Sequence, residues 1–454
     1  MAKPKSVYVC DACAAQSLKW QGQCDACGAW NSLVESRPEP MLRALSAAPA
    51  VGARRLADVE ETEQTRRSTG IGELDRVLGG GLVEGSATLI GGDPGIGKST
   101  LLLQSAARMS ETSPILYVTG EESLRQVSLR ARRLGLAASE LELLAQTCVE
   151  EILAETGKLQ PRALIIDSVQ TMYSTALQSA PGSVAQLRET AAQLVRYAKL
   201  AGTAVFLVGH VTKEGVIAGP RVLEHMVDTV LYFESDSGSR LRIVRAVKNR
   251  FGAANEIGVF AMAGDGLKEV PNPSAMFLSR HPQPVAGSAI TVAREGSRPL
   301  LVEVQALVDE SQTGAPRRIA LGLDTPRLTL LLAVLHRHAS LSFAGRDVFL
   351  NVVGGVRISE TAADLPALLA CVSSFEDRPL VEHTVSFGEL GLAGEIRPVP
   401  FGEERLRECA KHGFRRAIVP AANARRRTVR ALAALDVEVV GADRLPAAIE
   451  RAFG

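Results

Sequence analysis

The sequence predicts an α/β protein: an open parallel sheet, preceded by a small cysteine-rich unit and followed by a second mixed domain. Three observations predict it. From about residue 67 to 270, apolar runs alternate with helix-like segments, the pattern of a parallel sheet covered on both faces. Four of the seven cysteines fall at Cys10, Cys13, Cys24 and Cys27. Four prolines between 271 and 284 interrupt the alternation, and a new mixed pattern begins after them.

Bulk composition is compatible with this layout. At about 150 residues per domain, 454 residues suggest roughly three domains. The content is 46% apolar and 22% charged, ordinary for a globular chain. The net charge of +1 excludes a globally basic binder, so a nucleic-acid surface must be a local patch. No run approaches the ~18 apolar residues of a membrane span. No apolar signal core precedes Cys10, so the expected compartment is the cytoplasm.

Residues 1–35 form the cysteine-rich unit. Two C-x-x-C knuckles, ten residues apart, suit a tetrahedral Cys₄ zinc site. A redox dithiol is the weaker reading, because it would adjoin a βαβ pattern. So short a unit lacks a core, and the metal would hold it together. Lys19, Trp20 and Trp30 either contact a nucleic acid or protein or cover the zinc site. Cys148, Cys371 and Cys409 are scattered and read as small buried apolar side chains.

Residues 36–66 read as a linker, and 67–270 as the parallel-sheet domain. Its expected strands are Ala87–Gly91, Ile115–Gly120, Ala163–Asp167 and Thr203–His210. A helix is expected over Ser183–Leu200, with Ser183 as N-cap. Residues 271–284 form a connector. In 285–454, Arg298–Leu307 and Asp347–Arg357 read as strands and Ala362–Phe375 as a helix.

The chemistry starts at Gly92-Asp93-Pro94-Gly95-Ile96-Gly97-Lys98-Ser99-Thr100, which fits G-x-x-x-x-G-K-[ST] between a strand and a helix. Glycines let backbone N–H groups wrap phosphates at a helix N-terminus. Lys98 would reach the β- and γ-phosphates, and Ser99 would ligate Mg²⁺. The bound nucleotide is expected to be ATP. Leu164-Ile-Ile-Asp167 ends a strand in a carboxylate suited to Mg²⁺ or its water shell. Ile115–Glu122 ends another strand in paired carboxylates. Either Glu121 or Glu122 polarises the attacking water, or both are helix N-terminal charges. His210 falls at a further strand end, as a γ-phosphate sensor or a hydrogen-bonded structural histidine.

Ser68-Thr-Gly-Ile-Gly-Glu-Leu-Asp75-Arg-Val-Leu-Gly-Gly-Gly81-Leu, Gly120-Glu-Glu-Ser, the Cys₄ unit and Lys248-Asn-Arg-Phe-Gly252 together resemble one family. That family is the bacterial RadA (Sms) DNA repair proteins, and the resemblance covers essentially the whole chain. It implies a RecA-type ATPase core, a C-terminal domain like that of Lon proteases and a hexameric ring. It also implies action on single-stranded and branched DNA, branch migration of recombination intermediates and cooperation with the RecA recombinase.

Residues 237–252 carry Arg240, Arg242, Arg245, Lys248 and Arg250 and no acidic residue. Three readings stay open. Lys248 and Arg250 cross to a neighbour's γ-phosphate, as the Lys-x-Arg spacing of ring helicases suggests. They neutralise DNA phosphates. Or the segment is a solvated edge strand. The loops Tyr173–Ser183 and Thr212–Pro220 are candidate DNA contacts.

Lon peptidases use a Ser–Lys dyad. Aligned on the Lon pattern, Ala362 occupies the nucleophile position, beside Thr361, and Arg405 the lysine position. An arginine stays protonated and cannot act as the base. The domain therefore reads as a scaffold. Arg415, Arg416, Arg425, Arg426, Arg427 and Arg430 form either a phosphate-tracking patch or a solvated helical face. Two other readings compete with a DNA motor: a Lon-type ATP-dependent protease, and a regulatory ATPase of the circadian-clock type.

Overall fold

The structure is a computed structural model that describes residues 7–10, 15–17, 19–36, 55, 65–137, 139–210, 222–235, 241–278, 284–312, 315–425 and 436–454. Cys13, Arg240, Arg426, Arg427, Arg430, the loop at 212–220 and most of 36–66 lie outside the described residues. The chain divides into two compact units, Met1–Val270 and Pro271–Gly454.

The first unit opens with a three-stranded antiparallel sheet of β1 (Val7–Cys10), β2 (Gln16–Ser17) and β3 (Leu33–Ser36), with β1 in the centre. A two-stranded ribbon follows, β4 (Arg66–Arg67) with β5 (Leu82–Val83). The main sheet has nine strands. In chain order they are β6 (Ala87–Gly91), β7 (Ile115–Thr119), β8 (Glu142–Ala145), β9 (Ala163–Asp167), β10 (Ala204–Val208), β11 (Thr229–Glu234), β12 (Leu241–Asn249), β13 (Ile257–Ala263) and β14 (Gly266–Glu269). Across the sheet they run β14-β13-β12-β11-β6-β10-β9-β7-β8.

Alternate residues of the central strands face opposite sides, and both sides are covered. Ile90, Tyr117, Ile165 and Phe206 pack with the helices Gly72–Leu78 and Lys98–Ser110. Leu89, Val118, Ile166 and Leu207 pack with Val149–Leu159 and Val184–Ala201. Ser183 caps the last of these helices by accepting from the Gln186 N–H, and Gly202 ends it in the left-handed region at φ 69°.

One expectation needs correcting. The sheet is parallel only from β8 to β11, whereas β12, β13 and β14 are antiparallel. The reason is loop length. The connections within 235–269 are shorter than the dozen or so residues a parallel crossover needs. It follows that β12 is no edge strand, because it lies between β11 and β13.

The second unit holds a seven-stranded mixed sheet. Its strands are β15 (Ser288–Glu295), β16 (Arg298–Glu310), β17 (Arg318–Leu321), β18 (Arg346–Val352), β19 (Thr384–Ser386), β22 (Arg416–Pro420) and β23 (Glu438–Ala442). A small ribbon, β20 (Glu389–Leu390) with β21 (Ile396–Arg397), stands beside it. Two boundaries differ from expectation. The strand expected over Asp347–Arg357 stops at Val352, because Gly354 and Gly355 turn with φ 80° and 71°. The helix expected from Ala362 begins at Asp364, since Pro366 is tolerated only in a first turn.

Candidate nucleotide site and candidate zinc centre

The strand order brings the sequence-selected residues into a row. β6, β10, β9 and β7 are adjacent, and their carboxyl ends lead into Gly92, Gly209-His210, Asp167 and Gly120-Glu121. Ligands of open α/β sheets sit at such ends. The ends are tied to one another. Gly209 N–H donates to Ile90 at 2.8 Å, and Gly120 N–H donates to Asp167 at 2.8 Å. Gly120 permits this approach, since a Cβ there would meet the Thr171 hydroxyl at 2.1 Å.

Gly92, Gly95 and Gly97 of the loop have φ of 149°, 75° and 121°, which only glycine adopts readily. No side chain caps the following helix at Gly97, so its first N–H groups face the loop, as an anion site requires. Ser99 and Thr100 lie in that first turn. Lys98 is buried, and its Nζ donates to the Gly92 and Asp93 carbonyls at 2.6 and 2.9 Å and lies 3.3 Å from His210 Nδ1. Burial pulls its pKa down to about 8, against the opposing pull of Asp167, Asp93 and Glu121. A cation held on two carbonyls inside a glycine loop fits a phosphate group, which would take over those contacts.

His210 Nε2 lies 3.1 Å from Glu121 Oε1, and the Ser168 hydroxyl donates to that same oxygen. Lys98, His210 and Glu121 thus form a chain of contacts across three strand ends. Glu122 points elsewhere: it pairs with Arg130, and its N–H donates to the Thr119 hydroxyl at 3.1 Å. Asp167 is buried, and Tyr117 beneath it donates to its Oδ2 at 2.5 Å. Arg242 of β12 reaches the loop, donating from Nε to the Ile96 carbonyl at 3.1 Å. Sequence reading did not bring Ser168, Tyr117 or Arg242 to this site, and named Arg242 only among the basic residues of 237–252. Ser168 adjoins Asp167, a signal that existed; the other two depend on strand order.

Lys248 and Arg250 are not at this site. Asp228 precedes β11, and its backbone pairs with Ala87 and Arg250 at the amino end of β6. Five residues of strand, ~16 Å, separate that row from Gly92. Lys248 Nζ donates to the Glu224 and Val227 carbonyls at 2.7 and 2.8 Å, which burial and Arg250 accompany by lowering its pKa. Arg250 lies 3.3 Å from Asp228, which Lys199 also holds at 2.6 Å. The loop over Tyr173–Ser183 is fastened from within: the buried Gln186 amide donates to the Ser174, Leu177 and Ser179 carbonyls.

In the cysteine-rich unit, the Sγ atoms of Cys10, Cys24 and Cys27 lie within 4.8 Å of one another. Cys10 and Cys27 are 3.7 Å apart. A tetrahedral zinc with Zn–S of ~2.3 Å sets its sulfurs about 3.8 Å apart, so the described part of the donor set fits zinc. Trp20 and Trp30 are 55% and 72% exposed and do not cover the cluster.

In the second unit, Ala362 and Arg405 are both buried. The Arg405 guanidinium donates to both oxygens of Glu360, at 2.8 and 2.5 Å, and to the Val292 carbonyl. Thr361 donates to Glu389 at 2.9 Å. In the basic cluster, Arg415 and Arg416 pair with Asp436 and Glu438.

Comparison with known proteins gives the same domain order. Residues 8–35 match the rubredoxin metal binding domain, 53–216 the AAA domain and 332–423 the family described as subunit ChlI of Mg-chelatase. The DNA repair protein RadA of Pseudomonas aeruginosa is 56% identical over 457 residues, covering 100% of both chains. The chain belongs to the RadA family. The RadA of Escherichia coli is 55% identical, over 93% of this chain and 94% of its own. That of Bacillus subtilis is 49% identical, again over 93% and 94%. A KaiC-like protein of Pyrococcus horikoshii is 21% identical over 46% of this chain and all of its own, with a TM-score of 0.39. RadA membership and the AAA match make this chain a P-loop ATPase with an α/β, RecA-type core, a zinc ribbon and a Lon-like C-terminal domain. No helix among the described residues is long and apolar enough to cross a membrane.

Proposed function

We propose that this chain is a DNA-stimulated ATPase of homologous recombination and repair. It works as a ring-shaped homo-oligomer, a hexamer by family resemblance, that translocates on single-stranded and branched DNA in the cytoplasm and drives branch migration with the RecA recombinase. The relatives named DNA repair proteins support the task. One observation carries the ring: Arg250 and the Lys248 ammonium are held at the opposite end of the sheet from their own P-loop, against Asp228 and the Glu224 and Val227 carbonyls. If they serve ATP, they serve a neighbour's.

Within each site, the P-loop from Gly92 to Thr100 cradles the ATP phosphates. Ser99 and Asp167 hold Mg²⁺, which when bound neutralises phosphate charge. Lys98 turns from the Gly92 and Asp93 carbonyls to the phosphates. Glu121, steadied by His210 and Ser168, orients the attacking water, while Glu122 is committed to Arg130. Zinc on Cys10, Cys13, Cys24 and Cys27 holds the ribbon. Ala362 and the Glu360–Arg405 pair support a scaffold rather than a peptidase.

The deciding experiment mixes Lys98→Ala chains with Arg250→Ala chains. Each variant alone should be inactive, and the mixture should recover a fraction of turnover at hybrid interfaces. A mixture as inactive as its components, with Arg250→Ala weakened instead for DNA, would move Arg250 onto DNA. A branch-migration assay with and without ATP and RecA then separates a motor from a DNA-stimulated ATPase.

A further inference from the structure

The chain has only two tryptophans, both in the zinc ribbon, and aromatic residues make up just 4% of the sequence. Tryptophan is normally well buried, yet Trp20 and Trp30 present 55% and 72% of their surface. Among the described residues the ribbon's apolar cluster consists of Cys10, Cys24, Leu33, Tyr8 and Ala15, and neither indole is part of it. Trp30 bridges Gln23 in an antiparallel pair, and its ring lies beside Gly22, about 3.8 Å from where a Cβ would stand. Trp20 is two residues from Gly22, at most about 7 Å of backbone. The backbones of the two tryptophans therefore lie at one end of the ribbon, on either side of Gly22. Exposed polar residues adjoin them: Lys19 precedes Trp20, Asn31 follows Trp30, and Gln23, bridged to Trp30, donates its amide to the Gly28 carbonyl at 2.8 Å.

We propose that Trp20 and Trp30 form a stacking platform for the unpaired bases of a single nucleic-acid strand. The proposal rests on the reading of this chain as a DNA-working ATPase. Flat, solvated aromatic faces accept any base, and amides beside them meet base edges. The ribbon's charge also narrows the mode of binding. Around the indoles Lys19 is offset by Asp25, so phosphate neutralisation contributes little there. The platform holds bases, and its share of affinity varies little with salt. A protein partner would be the other user of two exposed indoles, and the test separates it.

Since both tryptophans lie on the proposed surface, the full-length zinc-loaded protein reports on it without a label. Unlabelled oligo(dT) should quench tryptophan emission on binding, with the same midpoint as the anisotropy of a labelled oligo(dT). A Trp20→Ala/Trp30→Ala variant with unchanged zinc content should bind oligo(dT) about ten-fold more weakly. Its salt dependence should match that of the wild type. If anisotropy shows binding but emission is unchanged and the variant keeps full affinity, the platform is overturned while the DNA reading survives. A surface reserved for protein would give that result. If no oligo(dT) binds at all, the DNA reading itself fails.

Discussion

The Tyr117 hydroxyl donates to Asp167 Oδ2 across 2.5 Å from two residue rows lower on the neighbouring strand, on the same face of the sheet. The contact fixes which oxygen of Asp167 faces the P-loop. Burial and the adjoining carboxylate raise the Tyr117 pKa well above its ordinary value, so the group remains a donor. Tyr117→Phe removes the donor and keeps the ring in the core. Half-saturating Mg²⁺ should rise about ten-fold, as when an outer partner of a metal ligand is lost. Nucleotide binding measured without Mg²⁺ should be unchanged. An equal loss with and without Mg²⁺ would show that Tyr117 supports the fold alone.

Lys98 gives a pH signature. Its folded pKa of about 8 is below the ordinary lysine value of 10.5, so between these values the folded protein holds fewer protons than the unfolded chain. Fold stability should therefore rise with pH across that window, as the cost of burying a charged lysine disappears. ATP binding should move the other way. Phosphate favours charged Lys98, so affinity should fall above pH 8, by up to about ten-fold per unit, with proton uptake on binding. Calorimetry in buffers of differing ionisation enthalpy measures that uptake. Absence of proton uptake at pH 8.5 would refute the assignment.

The two adjacent glutamates should separate cleanly. Glu121→Gln should lower kcat by at least about 100-fold while ATP binding persists. Glu122→Gln weakens only a partly exposed ion pair with Arg130, which is worth at most about 1 kcal/mol. It should retain most of the turnover. The reverse pattern would transfer the water-activating role to Glu122.

Lys248 and Arg250 should differ in stability as well as in turnover. Lys248 closes two short hydrogen bonds onto carbonyls at the end of a helix. Lys248→Ala should lower Tm by several degrees, consistent with a loss of ~2 kcal/mol. Arg250 is 60% exposed, and Lys199 continues to hold Asp228 without it. Arg250→Ala should leave Tm nearly unchanged while stopping ATP turnover. A large drop in its Tm would make Arg250 a structural residue.

What the sequence disclosed follows the range of the forces involved. The P-loop, the strand ending in Asp167 and the cysteine knuckles are local patterns whose chemistry needs fixed spacing, and each was legible. Glu121 could not be told from Glu122, because the choice depends on Ser168 and His210 arriving from two other strands. The antiparallel return of β12 was hidden for a similar reason. Its apolar alternation suits either direction, and only loop length decides. Tyr117 reads as one more apolar strand residue until Asp167 is placed above it.

The position of Arg405 yields the last prediction. An almost fully buried guanidinium is costly unless every donor direction is used. Here Glu360 takes it with both oxygens, and the Val292 and Pro400 carbonyls each accept a further bond. Arg405→Ala takes the fork away from Glu360, which keeps the Arg294 N–H donor at 2.7 Å and is 25% exposed, and should destabilise this unit by about 1–3 kcal/mol. Arg405→Lys keeps the charge but cannot reproduce the fork, and should recover only part of that. Replacing both partners, Arg405→Met with Glu360→Gln, should cost less than Arg405→Ala alone. Thermal unfolding of the three variants checks the order. The same variants probe peptidase chemistry: Arg405→Lys restores a lysine where Lon has its base, but Ala362 supplies no hydroxyl. Casein should stay intact with it, and cleavage that vanished on adding Thr361→Ala would show that Thr361 can act as the nucleophile.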